Sequence, residues 1–100
     1  MNTIPLKLVT IIAEHILRDR ILDAIRAAGS HGYTISEVQG EGTRGIHASQ
    51  WQGGNYKIET LVNATVAERI LERLAADYFR DYAVIVYVTD VQVVRGEKFA

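Results

Sequence analysis

The sequence predicts an α+β fold, a ferredoxin-like βαββαβ sandwich with a long loop between strands 2 and 3. Three observations predict it. Two stretches of helical spacing are each flanked by strand-like runs, and the second half repeats the order of the first. Between the halves, residues 40 to 54 carry five of the eight glycines and no sustained apolar pattern.

Leu6 to Ile12, rich in Leu, Val and Ile, reads as the first strand. A helix follows, with Leu17, Ile21, Ile25 and Ala28 at intervals of three or four and charged Arg18, Asp19, Arg20, Asp23 and Arg26 between them. Gly29 and Gly32 end it, as glycines commonly end helices. Tyr33 to Gln39 is the second strand. The loop comes next; a connection of that length in a small domain is usually functional or disordered. Tyr56 to Val62 alternates Tyr56, Ile58 and Val62 with Lys57 and Glu59, the pattern of a strand with one exposed face. Thr65 and Glu68 have capping-box spacing and open a second helix with Val66, Ile70, Leu74 and Tyr78 on one stripe. Ala83 to Val88 is the last strand, with Val91 to Val94 as a candidate continuation.

Two helices cover one face of a four-stranded sheet, and the other face should be polar. Ala83 to Val88 is instead apolar at every position, and Leu8-Val9 and Ile11-Ile12 nearly so. Such strands call for burial on both sides, by self-association or by the long loop folding over the open face.

One hundred residues, 48% hydrophobic, suffice for one domain over 1–100 with its own core and a flexible segment at 40–54. A net charge of −1 and a pI near 6.3 remove the electrostatic case for nucleic acid or an anionic membrane. The absence of cysteine removes disulfides, thiol catalysis and zinc-thiolate sites, and fits a reducing cytoplasm. Met1 to Leu6 has no signal-peptide pattern, and no apolar run approaches the roughly twenty residues of a membrane span. A cytoplasmic protein without direct membrane insertion is expected.

The chemistry concentrates in the loop. A strand running into Gly40-x-Gly42 lets backbone approach a ligand and its N–H groups form an anion nest, while Thr43 adds a hydroxyl, Arg44 a guanidinium suited to phosphate, and His47 a further donor. The same glycines also suit an ordinary turn, and the pattern is neither a P-loop nor a dinucleotide fingerprint. His15, His31 and His47 have no neighbour at metal-ligand spacing and read as surface or capping residues, and no serine has a nucleophile-elbow context. No catalytic residue and no metal ligand is expected. Trp51 is either a residue folded back on its own domain or a binding anchor.

Several segments, in order, resemble a known family. Lys7-Leu8-Val9, the helix start near Glu14-His15-Ile16-Leu17, Gly32-Tyr33-Thr34, Gly40-x-Gly42-Thr43-Arg44, Lys57-Ile58-Glu59, Tyr78-Phe79-Arg80-Asp81-Tyr82-Ala83 and Gly96-Glu97-Lys98-Phe99 are similar to the PII-like signalling proteins. The last two segments most resemble the SbtB branch, found beside the cyanobacterial bicarbonate transporter. The resemblance implies a homotrimer with sites for adenine nucleotides (cAMP, AMP, ADP, ATP) in the clefts between subunits, and a divalent cation accompanying ATP. Gly40, Gly42, Thr43 and Arg44 would hold ribose and phosphate. His47 stands where the branch often has Arg. Backbone groups of Ala83 and Val84 would read the adenine edge. The loop would correspond to the T-loop, presenting Ile46, Gln50 and Trp51 to a membrane bicarbonate transporter that recruits the protein to the membrane.

The chain departs from the branch in stopping at Ala100 without a cysteine-bearing extension, so a redox switch of that kind is not expected. It lacks the basic cluster that classical PII proteins carry after the second helix, which speaks against ordinary 2-oxoglutarate and nitrogen signalling.

Other functions share the fold. An RNA-binding module with this order of elements needs several aromatics on its third strand, and Tyr56 is alone there. An acylphosphatase-like hydrolase would use Arg44 and Asn55, in a loop too long and glycine-rich for a rigid site. A generic trimeric small-metabolite-binding domain is the main alternative.

Overall fold

The computed structural model describes residues 1–40 and 54–100. Its elements are β1 (Thr3–Glu14), a 3-10 turn (His15–Leu17), α1 (Arg18–Ala28), β2 (Thr34–Val38), β3 (Asn55–Val62), α2 (Ala64–Asp77), β4 (Ile85–Val94) and a closing 3-10 turn (Gly96–Phe99). The strands form one sheet in the order β2-β3-β1-β4, every neighbouring pair antiparallel. This is the predicted ferredoxin-like sandwich.

Register explains which residues go inside. Ile11 lies opposite Ile58 on one side and Val86 on the other, so all three share a face. Val9, Ile11 and Ile58 on that face meet Leu17, Ile21 and Ile25 at α1 and Val66, Ile70 and Leu74 of α2, all buried. The periodic positions of both predicted helices are therefore the core positions.

α1 stops at Gly29, whose φ of 116° is costly for any residue with a Cβ. A Cβ at that position would also stand 3.1 Å from Val66 Cγ2, so the glycine lets the end of α1 meet the start of α2. The turn that follows is tied to β3 by hydroxyls: Thr60 Oγ1 donates to the Gly32 carbonyl at 2.7 Å and lies 2.6 Å from Ser30 Oγ.

Three sequence expectations are corrected. The cap of α2 is Asn63, whose side chain accepts from the Val66 N–H at 2.9 Å, and not Thr65. An N-cap needs extended backbone; Asn63 has it (φ −78°, ψ 171°), whereas Thr65 is already inside the helix. The last strand begins at Ile85 and not Ala83, because Val84 N–H turns back to the Tyr82 carbonyl at 3.0 Å. β1 is longer than Leu6 to Ile12 and continues through Pro5, where it pairs with β4 alone; β3 joins only from Lys7. A proline without an N–H is tolerated where a strand has one neighbour.

β4 lies at a sheet edge, and its alternation divides the apolar run. Val86 packs against the core, while Ile85 and Tyr87 stand on the face away from the helices, 57% and 46% exposed. Half-buried Leu8 and Ile12 share that face with them. Among the described residues, no helix is long and apolar enough to cross a membrane.

Candidate functional site

The loop leaves and re-enters the domain at one end of the sheet. Val38, the last residue of β2, lies opposite Asn55, the first of β3, which in turn lies opposite Glu14, the last of β1. A cleft of about 490 Å³ opens beside this row, lined by His15, Glu37, Val38, Gln39, Gly54, Asn55 and Tyr56. Both limbs of the loop therefore form its walls.

Aromatic stacking fixes one wall. The His15 ring, in the turn after β1, stacks on Tyr56 with centroids 5.2 Å apart and planes 29° from parallel. The Arg18 guanidinium lies over the same ring, 5.5 Å from its centroid. The Tyr56 hydroxyl donates a long hydrogen bond to Glu37 Oε1 at 3.5 Å, tying β3 to β2. Gly54 sets the loop's return, because a Cβ on it would lie 2.7 Å from the Val38 carbonyl oxygen. Glu14 is buried at the inner end of the row. The wall can thus offer the His15 and Tyr56 rings together with the Glu37 carboxylate. Among the described residues, no three histidine, cysteine, aspartate or glutamate side chains converge as a metal site.

The predicted residues fall in three places. Gly40 is two residues beyond the end of β2, at the mouth of the loop, and a Cβ there would meet none of the described residues. Ala83 and Val84 lie at the same end of the sheet, just before β4, with Val84 packed against the core. They approach the opposite sheet edge from Gly40, because β2 and β4 are three strand spacings, about 14 Å, apart. One protomer does not close these residues around a small group. Gly42, Thr43, Arg44, Ile46, His47, Gln50 and Trp51 lie outside the described residues.

Sequence reasoning missed His15, Arg18, Tyr56 and Glu14. It took Tyr56 as one apolar position of an alternating strand and His15 as a surface residue. The signal lies in the β1–β3 register, which sets Ala13 opposite Tyr56 and brings the turn after β1 to the ring.

A family model described as "Nitrogen regulatory protein P-II" matches residues 6–98. The chain belongs to the P-II family. Members of this family are signalling regulators rather than enzymes. The P-II chain is 29% identical to the nitrogen regulatory protein P-II of Rhizobium etli over 106 residues, covering 92% of this chain and 95% of that one. In structure it is similar to a PII-like signalling protein of Thermus thermophilus, with a TM-score of 0.87, 51% identity and full coverage of both chains. It is also similar to CPII of Thiomonas intermedia K12 bound to ADP, AMP and acetate, with a TM-score of 0.86, 29% identity and coverage of 99% and 98%. The same CPII bound to ADP and bicarbonate gives a TM-score of 0.85.

Proposed function

We propose that this P-II chain is a regulatory protein that binds adenine nucleotide and bicarbonate at the loop mouth and reports their presence to a partner through the loop. The observation that carries this reading is the cleft itself, walled by both limbs of the loop, so that a ligand seated there touches the segment's two anchors at once. The solved CPII structures with ADP, AMP and bicarbonate support the choice of ligands.

Gly40, Gly42, Thr43 and Arg44 hold ribose and phosphate in this reading, with His47 as a further donor. Backbone groups of Ala83 and Val84 read the adenine edge. Because Gly40 and Ala83 approach opposite sheet edges, a site in the cleft between copies suits these groups better than one within a single protomer. The exposed apolar side chains of Ile85 and Tyr87 favour self-association, and the family resemblance makes that assembly a homotrimer. Ile46, Gln50 and Trp51 meet the partner. The resemblance to the SbtB branch makes that partner a membrane bicarbonate transporter, which draws a cytoplasmic regulator to the membrane. cAMP and ATP, the latter with a divalent cation, join AMP and ADP as candidate effectors.

Trp51, the single tryptophan, provides the test. Its fluorescence should change on addition of AMP, ADP, ATP or cAMP and differ between cAMP and ATP, with no phosphate released. A flat signal at saturating occupancy would remove the loop as the readout. Steady phosphate release from an acyl phosphate would favour the hydrolase reading instead.

A further inference from the structure

Part of the cleft wall is an imidazole laid on a phenol ring. His15 and Tyr56 both line the cleft, with their ring centroids 5.2 Å apart and their planes 29° from parallel. Stacking occupies a face of the imidazole and leaves its two nitrogens at the ring edge, where each can bond a ligand. The residue is exposed, so water and protons reach it. Imidazole is the side chain whose charge ordinarily changes between about pH 5 and 8.

The charges around the ring decide what its proton does. On its own side, buried Glu14 precedes it in the chain, and the Arg18 guanidinium, paired with Asp19 at 3.7 Å, lies 5.5 Å from the centroid of the same Tyr56 ring. From β2 comes the Glu37 carboxylate, which accepts from the Tyr56 hydroxyl at 3.5 Å, and from β3 the Tyr56 phenol itself. A proton on His15 therefore sets a second cation against a ring that already carries Arg18, and like charges repel. An anion seated in the cleft attracts both cations and so favours the proton. By linkage, the proton favours the anion by the same factor.

We propose that protonated His15 donates to an oxyanion of the bound effector, so that the cleft holds its ligand more tightly as pH falls and reports proton and effector together. The inference rests on the reading of this cleft as the effector site. Two sources supply the oxyanion, a phosphate of the adenine nucleotide and bicarbonate. Neutral His15 keeps one N–H and one bare nitrogen, so above its titration the charge-assisted part of the contact is lost while the stack on Tyr56 remains.

The test is calorimetric titration of the full chain at several values between about pH 6 and 8, wild type beside His15→Phe. Phenylalanine keeps a ring on Tyr56 and removes the proton. One arm titrates ADP, the other bicarbonate in the presence of ADP. The ligands themselves titrate in this range, but equally for both proteins, so the ratio of wild-type to variant affinity isolates His15. In at least one arm that ratio should be about tenfold or more at the acid end, the size of a hydrogen bond to a charged group, and about twofold or less at the alkaline end. The arm in which it falls identifies the source of the oxyanion. If His15→Phe does not fold, His15→Gln, a neutral donor, carries the same comparison. A ratio that is constant or rises with pH in both arms, with binding intact, would overturn the role of His15 alone. A wild type that binds neither ADP nor bicarbonate would overturn the effector-site reading and this inference with it.

Discussion

His15 and Tyr56, far apart in the chain, stack face to face where the loop returns to the sheet, with ring centroids 5.2 Å apart. The contact joins the turn after β1 to the start of β3 and gives the loop a fixed abutment. A double-mutant cycle with His15→Ala and Tyr56→Ala, read by urea denaturation, should return a coupling of about 0.5–1.5 kcal/mol, the range for aromatic pairs. A coupling near zero would mean that the rings only happen to lie close.

Gly54 and Gly40 sit at the two limbs of the loop but are not equivalent. Gly54→Ala drives a Cβ against the Val38 carbonyl oxygen, whereas Gly40→Ala meets none of the described residues. Gly54→Ala should lose about 1–3 kcal/mol of stability, the usual cost of overpacking, and weaken ligand binding. Gly40→Ala should leave stability nearly unchanged. Chemical denaturation of both variants checks the contrast.

The cap of α2 gives a second contrast. Asn63→Ala removes the acceptor for the Val66 N–H and should cost about 1 kcal/mol. Thr65→Ala, within the helix, should cost far less, because alanine is the better helix former there. Midpoint shifts in urea at constant slope would measure both.

Much of the fold was legible because its periods are clean. Leu17, Ile21, Ile25 and Ala28 mark one face of α1, and the same positions are buried. What escaped reading depends on backbone geometry or on register. Thr65 and Glu68 match the spacing of a cap, but only the backbone at Asn63 has the required extension. Ala83 and Val84 look like strand residues, yet the turn at Tyr82 holds them out of the ladder. Glu14 reads as a polar residue at a helix start, and nothing in its neighbours along the chain announces that it is buried. Gly-x-Gly pointed to the loop, while the groups that wall its mouth come from β2, β3 and the turn after β1.

Tyr78 makes stability sensitive to alkali. Burial, and next the Asp77 carboxylate, push its phenol above the ordinary value of 10.0. The folded state therefore holds this proton more tightly than the unfolded chain. Its contribution is complete below about pH 10 and is lost as pH rises through the folded value. Thermal melts from pH 8 to 12 should show a shallower alkaline decline in Tyr78→Phe than in the wild type.

The central claim is that the protein binds nucleotide without consuming it and that the loop takes part. Isothermal titration of the full chain with ADP, run beside Arg44→Ala, tests it most directly. The account predicts saturable binding with no phosphate released, weakened in Arg44→Ala by about 1.5–3 kcal/mol, the range for hydrogen bonds to charged groups. Absence of ADP binding in the wild type, or equal affinity in Arg44→Ala, would contradict it.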